Sequence, residues 1–99
     1  MSEKQKVPGL KVTVSFFREG KQFIAYCPSL DLSAYGDTFD EAQKSFEETF
    51  DIFFEELHRK GTLEDVLTEC GWVKVKKPRS EWAPPSFITN IEKDVAIPA

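Results

Sequence analysis

The sequence predicts a two-layer α+β domain, a mainly antiparallel sheet with one long helix packed on one face, in the order β-β-β-α-(short α)-β. Three observations lead there. Residues 35–61, YGDTFDEAQKSFEETFDIFFEELHRKG, read as a single amphipathic helix with both ends marked. The residues before it alternate between apolar and polar. Gly and Pro divide these runs at places that suit turns.

The helix is the most fully specified element. Thr38 is a good N-cap, and Glu41 three residues on completes a Thr-x-x-Glu capping box. Gly61 suits the left-handed position that closes a helix. Asp40 and Glu41 in the first turn and His58, Arg59 and Lys60 in the last match the helix dipole. At about 100° per residue, Phe39, Ala42, Phe46, Phe50, Phe53 and Leu57 form one stripe. Burial at about 1.5–3 kcal/mol per large side chain makes that stripe a principal stabiliser.

Upstream, residues 1–9 are polar, end in Pro-Gly and read as a disordered lead-in. Leu10, Val12, Val14 and Phe16 share one face of a first strand. Glu19-Gly20 turns the chain, and Lys21 to Cys27 returns as a hairpin partner with Phe23, Ala25 and Cys27 on one face. Pro28 ends it because proline has no N–H to donate. Leu30, Leu32 and Ala34 mark a third strand, and Gly36-Asp37 turns into the helix. Beyond Gly61, Thr62 is expected to cap a short helix carrying Leu63, Val66 and Leu67, which Gly71 closes. Trp72 to Lys76 alternates as a fourth strand, stopped by Pro78. The domain is thus assigned to residues 10–77, and residues 78–99, with Pro84-Pro85 and no clean period, to an extended C-terminal arm that docks on its own domain or on a neighbour.

At 99 residues the chain holds one small domain. A net charge of −4 argues against a general nucleic-acid coat and allows an acidic surface made for a basic partner. Cys27 and Cys70 form no CxxC unit and read as lone thiols of a reducing compartment. No apolar run approaches the roughly 20 residues that span a bilayer, and the polar opening MSEKQKVPG is no signal peptide. The expected compartment is the cytoplasm.

Catalytic constellations are not evident, so no enzymatic activity, cofactor or metal is expected. His58 is the single histidine, with no second ligand at metal spacing. The five glycines are isolated turn and cap residues, not a phosphate loop. Asp40, Glu41, Glu47, Glu48, Asp51 and Glu55 share the side of the long helix opposite the Phe stripe. Asp40–Lys44 and Glu55–Arg59 stand at i,i+4 and are expected to offset part of the repulsion. This side reads either as a solvated outer face or as a contact face for a basic partner. Two-metal nuclease chemistry needs acids converging from different elements, and the first strand, Leu10 to Arg18, has none. Lys74, Lys76, Lys77 and Arg79, flanked by Trp72 and Trp82, offer the alternative of a module binding RNA or a single strand. Against it, lysines on an edge strand commonly guard against sheet-to-sheet aggregation.

Phe17-Arg18-Glu19-Gly20, Phe23-Ile24-Ala25-Tyr26-Cys27-Pro28-Ser29-Leu30 and Tyr35-Gly36-Asp37-Thr38-Phe39-Asp40-Glu41-Ala42, in that order, resemble the HicB antitoxin family. The resemblance covers about Val12 to Leu57, with Gly71-Trp72 more loosely. It implies a partial ribonuclease H-like fold and a HicA-type partner, a small basic toxin that cleaves mRNA and is neutralised when its active face is covered. It also implies self-association as a dimer or tetramer. Many members carry a C-terminal helix-turn-helix or ribbon-helix-helix domain. Here the Pro-rich arm stands in that place, which points to a solitary or divergent branch and makes DNA binding unexpected. The residues expected to meet a partner are Glu47, Glu48, Asp51, Ile52 and Glu55 on the helix, with Trp82 and Phe87 on the arm.

Overall fold

A computed structural model describes residues 9–75 and 81–98. Its elements are β1 (Ser15–Glu19), β2 (Gln22–Cys27), β3 (Leu32–Gly36), α1 (Phe39–Lys60), α2 (Leu63–Glu69), β4 (Val73–Val75) and β5 (Glu81–Ala83). The fold is α+β, with an antiparallel sheet in the order β1-β2-β3 and α1 packed on one of its faces. Glu19 pairs with Gln22 across a two-residue turn that opens on Gly20 at φ +61°. Gly at the first central position is what a type II′ hairpin turn requires.

The first strand is shorter than expected, beginning at Ser15 instead of Leu10. Ser15 pairs with Tyr26, and one residue beyond Cys27 stands Pro28, so β2 ends there and residues 10–14 have no partner to ladder with. The alternation nonetheless holds, because Leu10, Val12, Val14 and Phe16 all pack against the core. That core joins Ala25 and Cys27 of β2, Leu30, Ala34 of β3, Phe46 of α1, Leu67 of α2 and Trp72. The small residues Ala25 and Ala34 face each other in the ladder, leaving room for the aromatic rings of α1. Both cysteines are free thiols.

Both marked ends of α1 form. Thr38 Oγ accepts from the Glu41 N–H at 3.0 Å, and Glu41 Oε1 accepts in turn from the Asp37 N–H at 3.0 Å, one residue earlier than the standard box. At the other end Gly61 takes φ +71°, with Gly61 N–H donating to His58 C=O and Thr62 N–H to Leu57 C=O, a Schellman motif. Gly36 has a different reason to be glycine. A Cβ there would lie 2.3 Å from the Ala42 backbone nitrogen, so its absence lets β3 run directly beneath the first turn of α1.

Two expectations about the helices need correction. Thr62 precedes α2 but its side chain makes no capping bond. Its N–H already closes the Schellman motif, and at φ −112°, ψ 12° the backbone is not in the extended conformation that aims an N-cap hydroxyl at the helix. Phe39, assigned to the stripe, is 49% exposed, because α1 begins there beyond the sheet's cover; it keeps one aromatic contact, with Phe16 at 4.6 Å. Phe54 joins the core's edge instead, 4.8 Å from Phe50 and 5.1 Å from Phe53.

The fourth strand stands apart from the three-stranded sheet. Val73–Val75 pairs with β5, with Lys74 opposite Trp82, and β5 lies in the segment read as arm. A nearby partner in sequence is the inexpensive one to close. Trp72 precedes β4 and is the anchor of this region, 2% exposed, with its Nε1–H donating to the Ser29 carbonyl at 2.9 Å. The Trp82 N–H donates to the Gly9 carbonyl, tying the hairpin to the start of the chain's first extended segment. Residues 84–98 form no helix or strand.

Candidate partner-binding surface

The helix α1 sits over β3 and β2, leaving β1 at the uncovered edge. A single helix about 10 Å across covers two strands spaced at about 4.8 Å, not the full width of a three-stranded sheet. The consequence is a groove of about 400 Å³ between β1 and α1. Its floor is Val12, Val14, Phe16, Phe46 and Phe50, and its rim on the helix side is Gln43, Glu47 and Asp51.

The carboxylates expected to form one face are therefore divided. Glu47 and Asp51 edge the apolar groove. Glu48 lies on the opposite flank of α1, where it lines a shallow depression with Tyr35, Glu41, Lys44 and Ser45. Glu55 is exposed, and Ile52 is an apolar side chain 62% exposed among these acids. The two ion pairs expected at i,i+4 do not form. Arg59 and Lys60 both turn to Glu56, three and four residues back. Among the described residues Glu47, Glu48, Asp51 and Glu55 have no ion-pair partner.

The basic cluster divides as well. Lys76, Lys77 and Arg79 lie outside the described residues. Lys74 pairs with Glu64 at 2.9 Å and lies 5.9 Å from the centre of the Trp82 ring. Trp82 is half-buried against the core edge, and Trp72 is buried outright. Trp72 thus offers no open face for base stacking, a correction to its placement beside the lysines. Asp31 stands in the β2–β3 turn at φ +56° and accepts a hydrogen bond from the Tyr26 hydroxyl at 3.1 Å. This bond, then burial and the adjacent carboxylate charge, raises the Tyr26 hydroxyl above its usual value of 10.0. Among the described residues no cluster of three or more His, Cys, Asp or Glu side chains is arranged to hold a metal ion, and no helix is long and apolar enough to cross a membrane.

On the arm, Phe87, Ile88, Ile91, Val95 and Ile97 are between 76% and 87% exposed. No protein-family model, curated protein or solved structure matches this chain.

The groove was missed from sequence. Its signal was an imbalance: four apolar residues on the inner face of the first segment, Leu10, Val12, Val14 and Phe16, for a helix whose stripe is one residue wide at each turn.

Proposed function

We propose that this chain is a non-enzymatic, HicB-like antitoxin that binds and neutralises a small basic HicA-type mRNA-cleaving toxin, and that it self-associates. The observation that carries this reading is the outer side of α1. Glu48 four residues before and Glu55 three residues after the exposed Ile52 flank it on the helix, with no cation paired to either among the described residues. Like charges at neighbouring helical positions repel, and a basic partner surface relieves that repulsion while steering the encounter. Ile52 supplies the apolar contact that such a patch needs at its centre. The ordered resemblance from Phe17 to Ala42 and the net charge of −4 support the same class of partner.

Co-expression with a HicA-type toxin encoded beside it is the test. Restored growth and co-purification are expected, with Ile52→Asp or Glu48→Lys and Glu55→Lys together weakening the pair at least about tenfold and flattening its salt dependence. Continued toxicity with no co-purification overturns the reading.

A further inference from the structure

We propose that the C-terminal arm of one copy lies in the groove between β1 and α1 of a second copy, so that two chains exchange arms. The inference rests on the self-association in the proposed function, and not on the toxin. The arm is the starting point. Phe87, Ile88, Ile91, Val95 and Ile97 stand clear of their own domain, an arrangement that exposes five large apolar side chains within eleven residues. In an extended chain, alternate side chains share a face. Phe87, Ile91, Lys93, Val95 and Ile97 then fall on one side, and Ile88, Asn90, Glu92 and Asp94 on the other. The first side also takes Thr89 and is otherwise apolar with a single cation. The second carries Glu92 and Asp94, both of the acids that follow β5.

The groove is the complement of the first side. Its floor is apolar, and Glu47 and Asp51 at its rim have no ion-pair partner among the described residues. Lys93 is in phase with the apolar side chains and reaches that rim, while Glu92 and Asp94 turn away from it. β1 is an edge strand, so its outward backbone groups are open to a further strand. Residues 91–97 extend over about 20 Å, and the rim from Gln43 to Asp51 over about 12 Å of helix, so one arm fills it. Each large apolar side chain withdraws about 60–120 Å². Four such side chains on each of two arms, with the surfaces that cover them, come to about 1,000–1,900 Å², which reaches the range of stable interfaces. Exchange of identical segments about a two-fold axis closes the assembly at two chains.

The mass of the full chain, measured without toxin across a range of concentrations, tests this. A dimer is expected. Lys93→Glu weakens its association about tenfold, and Asp51→Lys added to it restores the association. Mixed copies, one carrying Ile91→Cys and the other Gln43→Cys, form a disulfide between chains. A dimer undiminished after deletion of residues 86–98, with circular dichroism unchanged, overturns the exchange and leaves self-association standing. A monomer at every concentration overturns both. A monomeric disulfide within a chain carrying both cysteines also overturns exchange, since the arm then folds onto its own domain.

Discussion

Asp31 unites two local requirements in one side chain. It occupies the left-handed region at φ +56°, which Asp tolerates better than most residues, and it accepts the Tyr26 hydrogen bond across the turn. The bond needs a protonated tyrosine, which is why the hydroxyl is raised above its usual value. The direction sets the pH window. The stabilisation is complete below the ordinary tyrosine value and disappears as pH rises through the higher folded one. Asp31→Gly keeps the backbone conformation and removes the acceptor. Its expected effect is a lower midpoint for Tyr26 ionisation, read by following that ring through an alkaline titration. The Tyr26 and Asp31 pairing was not legible in the sequence, because a five-residue separation becomes a contact only once the turn geometry is set.

At the scale of the element, α1 and α2 start from the same kind of threonine and differ in outcome. Thr38 is extended at φ −133°, ψ 164° and caps, whereas Thr62 is claimed by the end of the preceding helix and does not. Thr38→Ala is expected to cost about 1 kcal/mol, and Thr62→Ala to stay within about 0.5 kcal/mol, compared by denaturant midpoints at constant slope. The contrast explains why the long helix was legible to within a residue at each end and the cap of the short one was misread. A capping motif is local grammar, but whether it operates depends on the backbone that leads into it. The strands repeat the point. β2 was legible because Gly20 and Pro28 bound it, whereas β1 lost its first five residues to the absence of a partner. β5 escaped notice because three residues, Glu81, Trp82 and Ala83, are too few to establish a period of two.

For the whole molecule, Trp72 does the joining. It follows α2, precedes β4, and fills the core while its indole N–H satisfies the Ser29 carbonyl 43 residues away. Trp72→Phe preserves most of the apolar volume but leaves that carbonyl without its donor, and a loss of about 1–3 kcal/mol is expected in equilibrium unfolding. The candidate surface belongs to this scale too. Its acids, and Ile52 among them, were legible from helical spacing alone. Their division between a groove and an opposite flank was not, since it arises from where α1 settles across the sheet.

The amino-acid sequence by itself determined the α+β class, the order of the main elements, the two ends of α1 and the inward alternation of Leu10, Val12, Val14 and Phe16. These depend on interactions within a few residues, namely caps, turn conformations and the period of apolar side chains. Only the tertiary structure decided that α1 leaves β1 uncovered, that β4 pairs with β5 outside the main sheet, and that the arm's apolar side chains find no place on their own domain. Those outcomes depend on how wide a helix is against a three-stranded sheet and on which surfaces remain once the core is filled, quantities that no local pattern contains.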